Sequence, residues 1–149
     1  MDISSDYREL FKILNRHKVR YLVVGAYAVI FYAEPRYTKD IDIWIDPTLK
    51  NAENLYSALT EFGAPLKDIT VKDFANKKTI YQIGVAPVRI DIMASISGQT
   101  FPEAWKNRRK TKYADIAINI IGVKDLIRSK KNTGRPLDLN DIAQLRHRM

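Results

Sequence analysis

VVGAYAVIFYAEPRYTKDIDIWID, residues 23–46, is the stretch on which the fold turns. Its first residues complete a short β-rich run from Arg20 to Val24 that Gly25 ends, and such a run reads as a strand. Ala26 to Ala33 is apolar on every side, which suits a buried helix, and Pro35 stops it. Asp40 to Ile45 then alternates, with Asp40, Asp42 and Trp44 on one side and Ile41, Ile43 and Ile45 on the other. That period of two predicts a half-buried strand, closed by Pro47.

Outward from this centre, helical and strand patterns follow one another. Residues 5–18 place Tyr7, Leu10, Phe11 and Leu14 on one helical face, and residues 48–62 do the same with Leu49, Ala52, Leu55, Leu59 and Phe62. Gly63 and Pro65 end the second helix. Thr79–Val85 and Val88–Met93 read as two strands joined by a tight turn at Ala86 and Pro87. Tyr113–Ile121 reads as one further strand. Val123–Lys131 and Leu137–Arg148 read as helices on either side of a turn at Gly134 and Pro136. The order predicts an α/β (α+β) domain, a mixed sheet flanked by helices with further helices at the C-terminal end. At 149 residues, 1–149 is expected to form one domain.

Composition narrows the setting. No run is long and apolar enough for a membrane helix, and MDISSDYREL lacks the layout of a signal peptide, so a soluble cytoplasmic protein is expected. There is no cysteine, which excludes disulfides and thiolate metal sites. The net charge of +8 favours polyanionic partners, nucleotide phosphates or nucleic acid.

Asp40 and Asp42 carry the chemistry. At i and i+2 on a strand they share a face, with Cα atoms about 6.6 Å apart. Hard, oxygen-seeking cations, Mg2+ or Mn2+, fit between and beside such carboxylates, and two-metal sites hold their ions about 3.5–4 Å apart. Without a cation the pair would repel and raise each other's pKa. The turn at Gly25 supplies the complement, a helix N-terminus whose free N–H groups bind phosphate, at a residue with no side chain to keep phosphate away. A third acid stands in VRIDIMAS, where Arg89, Asp91 and Met93 face away from Val88, Ile90 and Ile92. Plainer readings compete. Asp40 and Asp42 would be solvated if their strand were an edge with lysines nearby. Asp91 would be structural if it paired with Arg89 or Arg20, and Gly25 if it were only a tight turn.

Together, Gly25-Ala26, Asp40-Ile41-Asp42 and Asp91 on a later strand resemble the DNA polymerase beta-like nucleotidyltransferase superfamily. The wording GAYAV…PRYTKDIDIWI is most similar to its small branch related to the AbiEii-type toxins. The tail DLIRSKKNTGRPLDLNDIAQL resembles that branch's closing helices. The resemblance spans about residues 20–46, 88–95 and 122–145. It implies a nucleotidyltransferase that moves a nucleoside monophosphate from a nucleoside triphosphate to an acceptor hydroxyl of protein, RNA or a small molecule. Asp40 and Asp42 would hold magnesium and the triphosphate. Asp91 would bind the second metal and help deprotonate the acceptor. Gly25 and Ala26 would touch the β/γ-phosphates, with Thr38 as a further binding residue, and Lys130 or Lys131 would reach the triphosphate. Asp141 matches an acid that recurs in the toxin branch. Two departures stand out. Ala26 replaces the usual Ser or Gly and so offers a phosphate only its N–H, a loss of about 1 kcal/mol. The chain also has no room for the separate substrate domain of larger relatives, so a partner protein or the basic surface would have to present the acceptor. A catalytically weak nucleotide- or nucleic-acid-binding module, part of a toxin–antitoxin pair, is the alternative.

The densest basic run is Lys106, Arg108, Arg109, Lys110 and Lys112. It reads as an RNA or DNA groove with Trp105 and Tyr113 as stacking platforms, or, preferably, as a solvated helix end with those aromatics in the core. Arg36, just before the acidic strand, reads as a solvated loop residue in preference to one that reaches a phosphate. His17 and His147 have no metal-like spacing. No Ser-His-Asp set, Walker loop or dinucleotide fingerprint is visible.

Overall fold

The computed structural model describes residues 5–33, 40–85 and 88–133, together with 143, 145 and 146. Helix α1 (Ser5–Arg16) buries Tyr7, Leu10, Phe11 and Leu14, and leads into β1 (Tyr21–Val24) and α2 (Gly25–Tyr32). Strand β2 (Asp40–Ile45) precedes α3 (Leu49–Phe62). The Thr48 hydroxyl caps α3 by accepting from the Asn51 N–H at 3.3 Å, and Gly63 ends it in the left-handed conformation at φ +88°. A one-turn α4 (Val71–Phe74), held by a capping box between Thr70 and Asp73, leads to the hairpin β3 (Ile80–Val85) and β4 (Val88–Met93). The chain continues through α5 (Phe101–Lys106), β5 (Arg109–Tyr113), β6 (Ile116–Ile120) and α6 (Val123–Thr133).

The six strands form one mixed sheet in the order β3-β4-β2-β1-β6-β5. Strands β2 and β4 run parallel, as do β1 and β6, and the remaining neighbours are antiparallel. The pairing aligns Ile41 with Ile90, Ile43 with Ile92 and Val23, and Ile45 with Tyr21, giving one wholly buried apolar face. Helix α1 covers part of it, with Phe11 stacked 5.9 Å from Tyr21. The mixed α/β architecture is therefore the expected one, with β2 at its centre rather than at an edge.

Three expectations need correction. Strand β2 is not half-buried along its length, because Trp44 is only 1% exposed. It lies under α5, with its ring 5.3 Å from Phe101, so only the Asp40 and Asp42 end of that face stays open. Helix α4 escaped sequence reading, and α5 entered it only as the helix end of the basic run, because four and six residues are too few to show a helical period. Tyr113–Ile121 is not one strand. A turn at Ala114, at φ +55°, folds it back, and β5 begins within the basic run at Arg109. That run is thus the end of α5 followed by an edge strand whose Arg109, Lys110 and Lys112 are exposed. Arg8 clamps the turn to α1 through a two-pronged contact to Asp115 at 2.7 and 2.9 Å, which holds that carboxyl down to about 2. The expected turns at Ala86–Pro87 and Gly134–Pro136 lie outside the described residues. So does most of the expected helix 137–148, of which 143, 145 and 146 are helical and Leu145 is buried. No helix among the described residues is long and apolar enough to cross a membrane.

Candidate metal and phosphate site

Strand register assembles the site. Parallel pairing sets Asp42 beside Asp91 and Asp40 beside Arg89, and antiparallel pairing sets Val24 beside Asp42 and Gln82 beside Asp91. On the open face a row therefore crosses four strands as Gln82, Asp91, Asp42, Val24. Asp40, Asp42 and Asp91 each offer a carboxylate oxygen, and these oxygens all lie within 4.8 Å of one another. The isoleucines between them point into the core, so the acids are held by a rigid strand pair rather than by loops.

Gly25 closes the row from above. A side-chain carbon added there would sit 2.1 Å from Asp42 Oδ2, and the backbone is left-handed at φ +67°. Two independent constraints thus select glycine: the close approach of the carboxylate and a conformation costly for other residues. Helix α2 starts at this residue, and its N-cap, Val24, provides no side-chain cap. A valine cannot supply the cap that a hydroxyl or carboxylate there would give to the first-turn N–H groups. Gly25 and Ala26 are both partly exposed, and Gly25 lies against the Asp42 carboxylate.

Charge is concentrated here. Burial first, then Asp91 and Asp40, pushes the Asp42 carboxyl up to about 6, while Arg89 and Lys130 oppose the shift. Arg89 Nε and Nη2 donate to Asp91 Oδ1 and Oδ2, each at 3.3 Å. The Arg89 backbone is pinned by Tyr7, whose hydroxyl donates to its carbonyl at 3.0 Å and lies 3.2 Å from its N–H. Lys130, on α6, is 8% exposed and its charge is felt at Asp42.

The structure brings Asp40, Asp42, Asp91, Gly25, Ala26 and Lys130 to one side of the sheet. Thr38 and Asp141 lie outside the described residues. An all-carboxylate donor set suits hard divalent cations. Arg89 entered the sequence reading only as a partner for Asp91, and Gln82 not at all. The signal for Gln82 was available: two expected strands separated by only two residues, Thr79–Val85 and Val88–Met93, set Gln82 opposite Asp91 by spacing alone, as the pairing shows. The basic run's aromatics are not free platforms. Trp105 lies stacked 5.6 Å from Phe101 with the Arg108 guanidinium 3.9 Å over its ring, and Tyr113 is 3% exposed among Tyr7, Phe11 and Tyr27.

Residues 1–146 match the family described as Nucleotidyltransferase of unknown function (DUF6036). No curated protein matches the chain in sequence. Among solved structures, TM1012 from Thermotoga maritima, assigned as a nucleotidyltransferase, superposes with a TM-score of 0.66 at 15% identity, over 99% of this chain and 97% of its own. The lincosamide antibiotic adenylyltransferase LnuA, bound to lincomycin, gives 0.61 at 18% identity over the whole of both chains. The antibiotic-resistance factor ANT(2'')-Ia gives 0.62 at 11% identity, over 95% of this chain and 80% of its own. At these identities the likeness is one of fold.

Proposed function

The chain belongs to the nucleotidyltransferase family DUF6036, and we propose that it transfers a nucleoside monophosphate from a nucleoside triphosphate to an acceptor hydroxyl at the site formed by Asp40, Asp42 and Asp91. The observation that carries this reading is the convergence of those three carboxylates within 4.8 Å beneath an uncapped helix N-terminus. Asp40, Asp42 and Asp91 are the residues that would hold Mg2+ or Mn2+. Divalent ions bound there would neutralise charge on the transferred phosphoryl group and on the leaving pyrophosphate.

The chain's own residues divide the remaining work. The N–H groups of Gly25 and Ala26 hold the β/γ-phosphates, with Thr38 contributing from the segment before β2. Lys130 lends positive charge from the α6 side. The acceptor oxygen forms its bond to the α-phosphorus as the bond to the bridging oxygen breaks. Pyrophosphate leaves, and the acceptor's proton passes to Asp91. Rate enhancement then rests on positioning and charge neutralisation.

The donor and acceptor classes take support from LnuA, an adenylyltransferase by name with an antibiotic bound, matched from end to end. That end-to-end match supports a reading in which the domain itself holds a small acceptor, without a separate substrate domain. ATP is accordingly the first donor to try and a hydroxylated small molecule the first acceptor class, with pooled tRNA and protein beside it because of the basic charge. Incubation with magnesium, manganese or chelator and α-labelled triphosphates reads the transfer directly. We expect metal-dependent labelling that Asp42→Asn abolishes. Labelling of none of the acceptor pools, or labelling equal in the variant, overturns the assignment. The branch related to AbiEii-type toxins rests on the GAYAV…KDIDIWI wording and the tail. A neighbouring gene for a cognate antitoxin would support it.

A further inference from the structure

Arg89 stands out once the acids are assigned to metal. It meets Asp91 through both prongs of its guanidinium, yet at 3.3 Å each. The same kind of contact between Arg8 and Asp115 closes to 2.7 and 2.9 Å, the usual range for a charge-assisted bond. Both contacts go to Asp91, and the charges of Asp40 and Asp42 act on the same guanidinium more weakly. Its side chain is 41% exposed, whereas that of Asp91 is 15% exposed. The backbone beneath it is fixed by Tyr7. The result is a half-exposed cation with long contacts on a fixed base, beside three carboxylates.

Two divalent ions entering that cluster would outweigh its negative charge and repel the guanidinium. A triphosphate laid along the row brings negative charge back. A planar fork grips phosphate oxygens as readily as carboxylate, and neighbouring strands are only about 4.8 Å apart.

We propose that Arg89 is a displaceable counter-ion, which neutralises the acids while no metal is bound and moves to the phosphates of the incoming triphosphate when metal takes its place. This rests on the metal-site reading above and assigns it a positioning residue for the donor. A purely structural Arg89, needed to orient Asp91, makes the opposite prediction for metal affinity, so the sign of one measurement separates the two.

The test is magnesium binding to wild type, Arg89→Gln, Arg89→Lys and Asp42→Asn by calorimetry without nucleotide, followed by pyrophosphate binding at saturating magnesium. Loss of a competing half-exposed ion pair should tighten magnesium binding in Arg89→Gln by about two- to fivefold. Pyrophosphate should bind that variant at least several-fold more weakly. Arg89→Lys keeps the charge and should stay near wild type for magnesium, with pyrophosphate affinity between the other two. Weaker magnesium binding in Arg89→Gln, or unchanged pyrophosphate binding, overturns the proposal and leaves the metal site standing. Magnesium binding that is absent from wild type, or indifferent to Asp42→Asn, removes the metal site and this inference with it.

Discussion

At the scale of single residues, Gly25 and Asp42 behave as one unit, because the carboxylate occupies the volume a side chain at 25 would need. Gly25→Ala must both adopt a left-handed backbone, costing about 1–2 kcal/mol, and push Asp42 aside. We expect a lower melting temperature and loss of the magnesium-induced thermal shift; a variant that keeps that shift would show the contact to be dispensable. Asp42 also predicts a pH dependence. Its carboxyl lies at about 6 in the fold against 3.8 ordinarily, so the folded state holds a proton that the unfolded chain releases. That contribution to stability is full below about pH 4 and is lost as the pH rises through 6. Without metal, Asp42→Asn should therefore be more stable than wild type at pH 7.5, by about 1–3 kcal/mol, with the gap closing towards pH 4. Denaturant melts across that range check the sign. Magnesium should stabilise wild type, but not the variant, and should lose its effect below pH 6 as Asp42 takes up its proton.

At the scale of elements, most of the site was legible because it lies on long-period features. The Asp40–Ile45 alternation, the apolar run after Gly25 and the hairpin with Asp91 each carry their own pattern, and pairing then aligns them. What stayed hidden was what covers the sheet. Helix α5 is too short to show a period, yet it buries Trp44 through Phe101. Phe101→Ala should accordingly cost about 3–5 kcal/mol, read as a fall in melting temperature. The basic run was hidden for a different reason. Lysine and arginine do not favour strands, but an edge strand tolerates them because they face water and block pairing with another chain. Strand β5 is such an edge, with Lys110 and Lys112 exposed. Replacing both by threonine should raise aggregation on mild heating, followed by light scattering, with little change in the melting temperature. No rise would mean that the edge is guarded by something other than its charge.

At the scale of the whole molecule, the charge is unevenly placed. Residues 101–133 hold nine of the basic residues and only three of the acidic ones, and so carry +6 of the total +8. These residues are α5, β5, β6 and α6, and α6 brings Lys130 to the acids of β2 and β4. The three acids by themselves would repel a triphosphate. The net positive charge of these elements opposes that repulsion at longer range, and a field of this kind acts on encounter more than on the bound complex. Lys106 and Lys124 are exposed and line neighbouring clefts of about 260 and 330 Å3 that share Asn107, Asp125 and Arg128. Neither is among the residues assigned to the metal or the phosphates. Reversing both to glutamate should slow association of a fluorescent triphosphate analogue and leave its dissociation rate unchanged. The wild-type association rate should fall steeply between low and physiological salt, as the screening length shortens to about 8 Å, and the variant's rate should fall much less. Stopped-flow traces at several ionic strengths separate the two rates. An effect confined to dissociation would mean that these lysines touch the nucleotide itself, and the donor site would then extend past α6 to the clefts behind it.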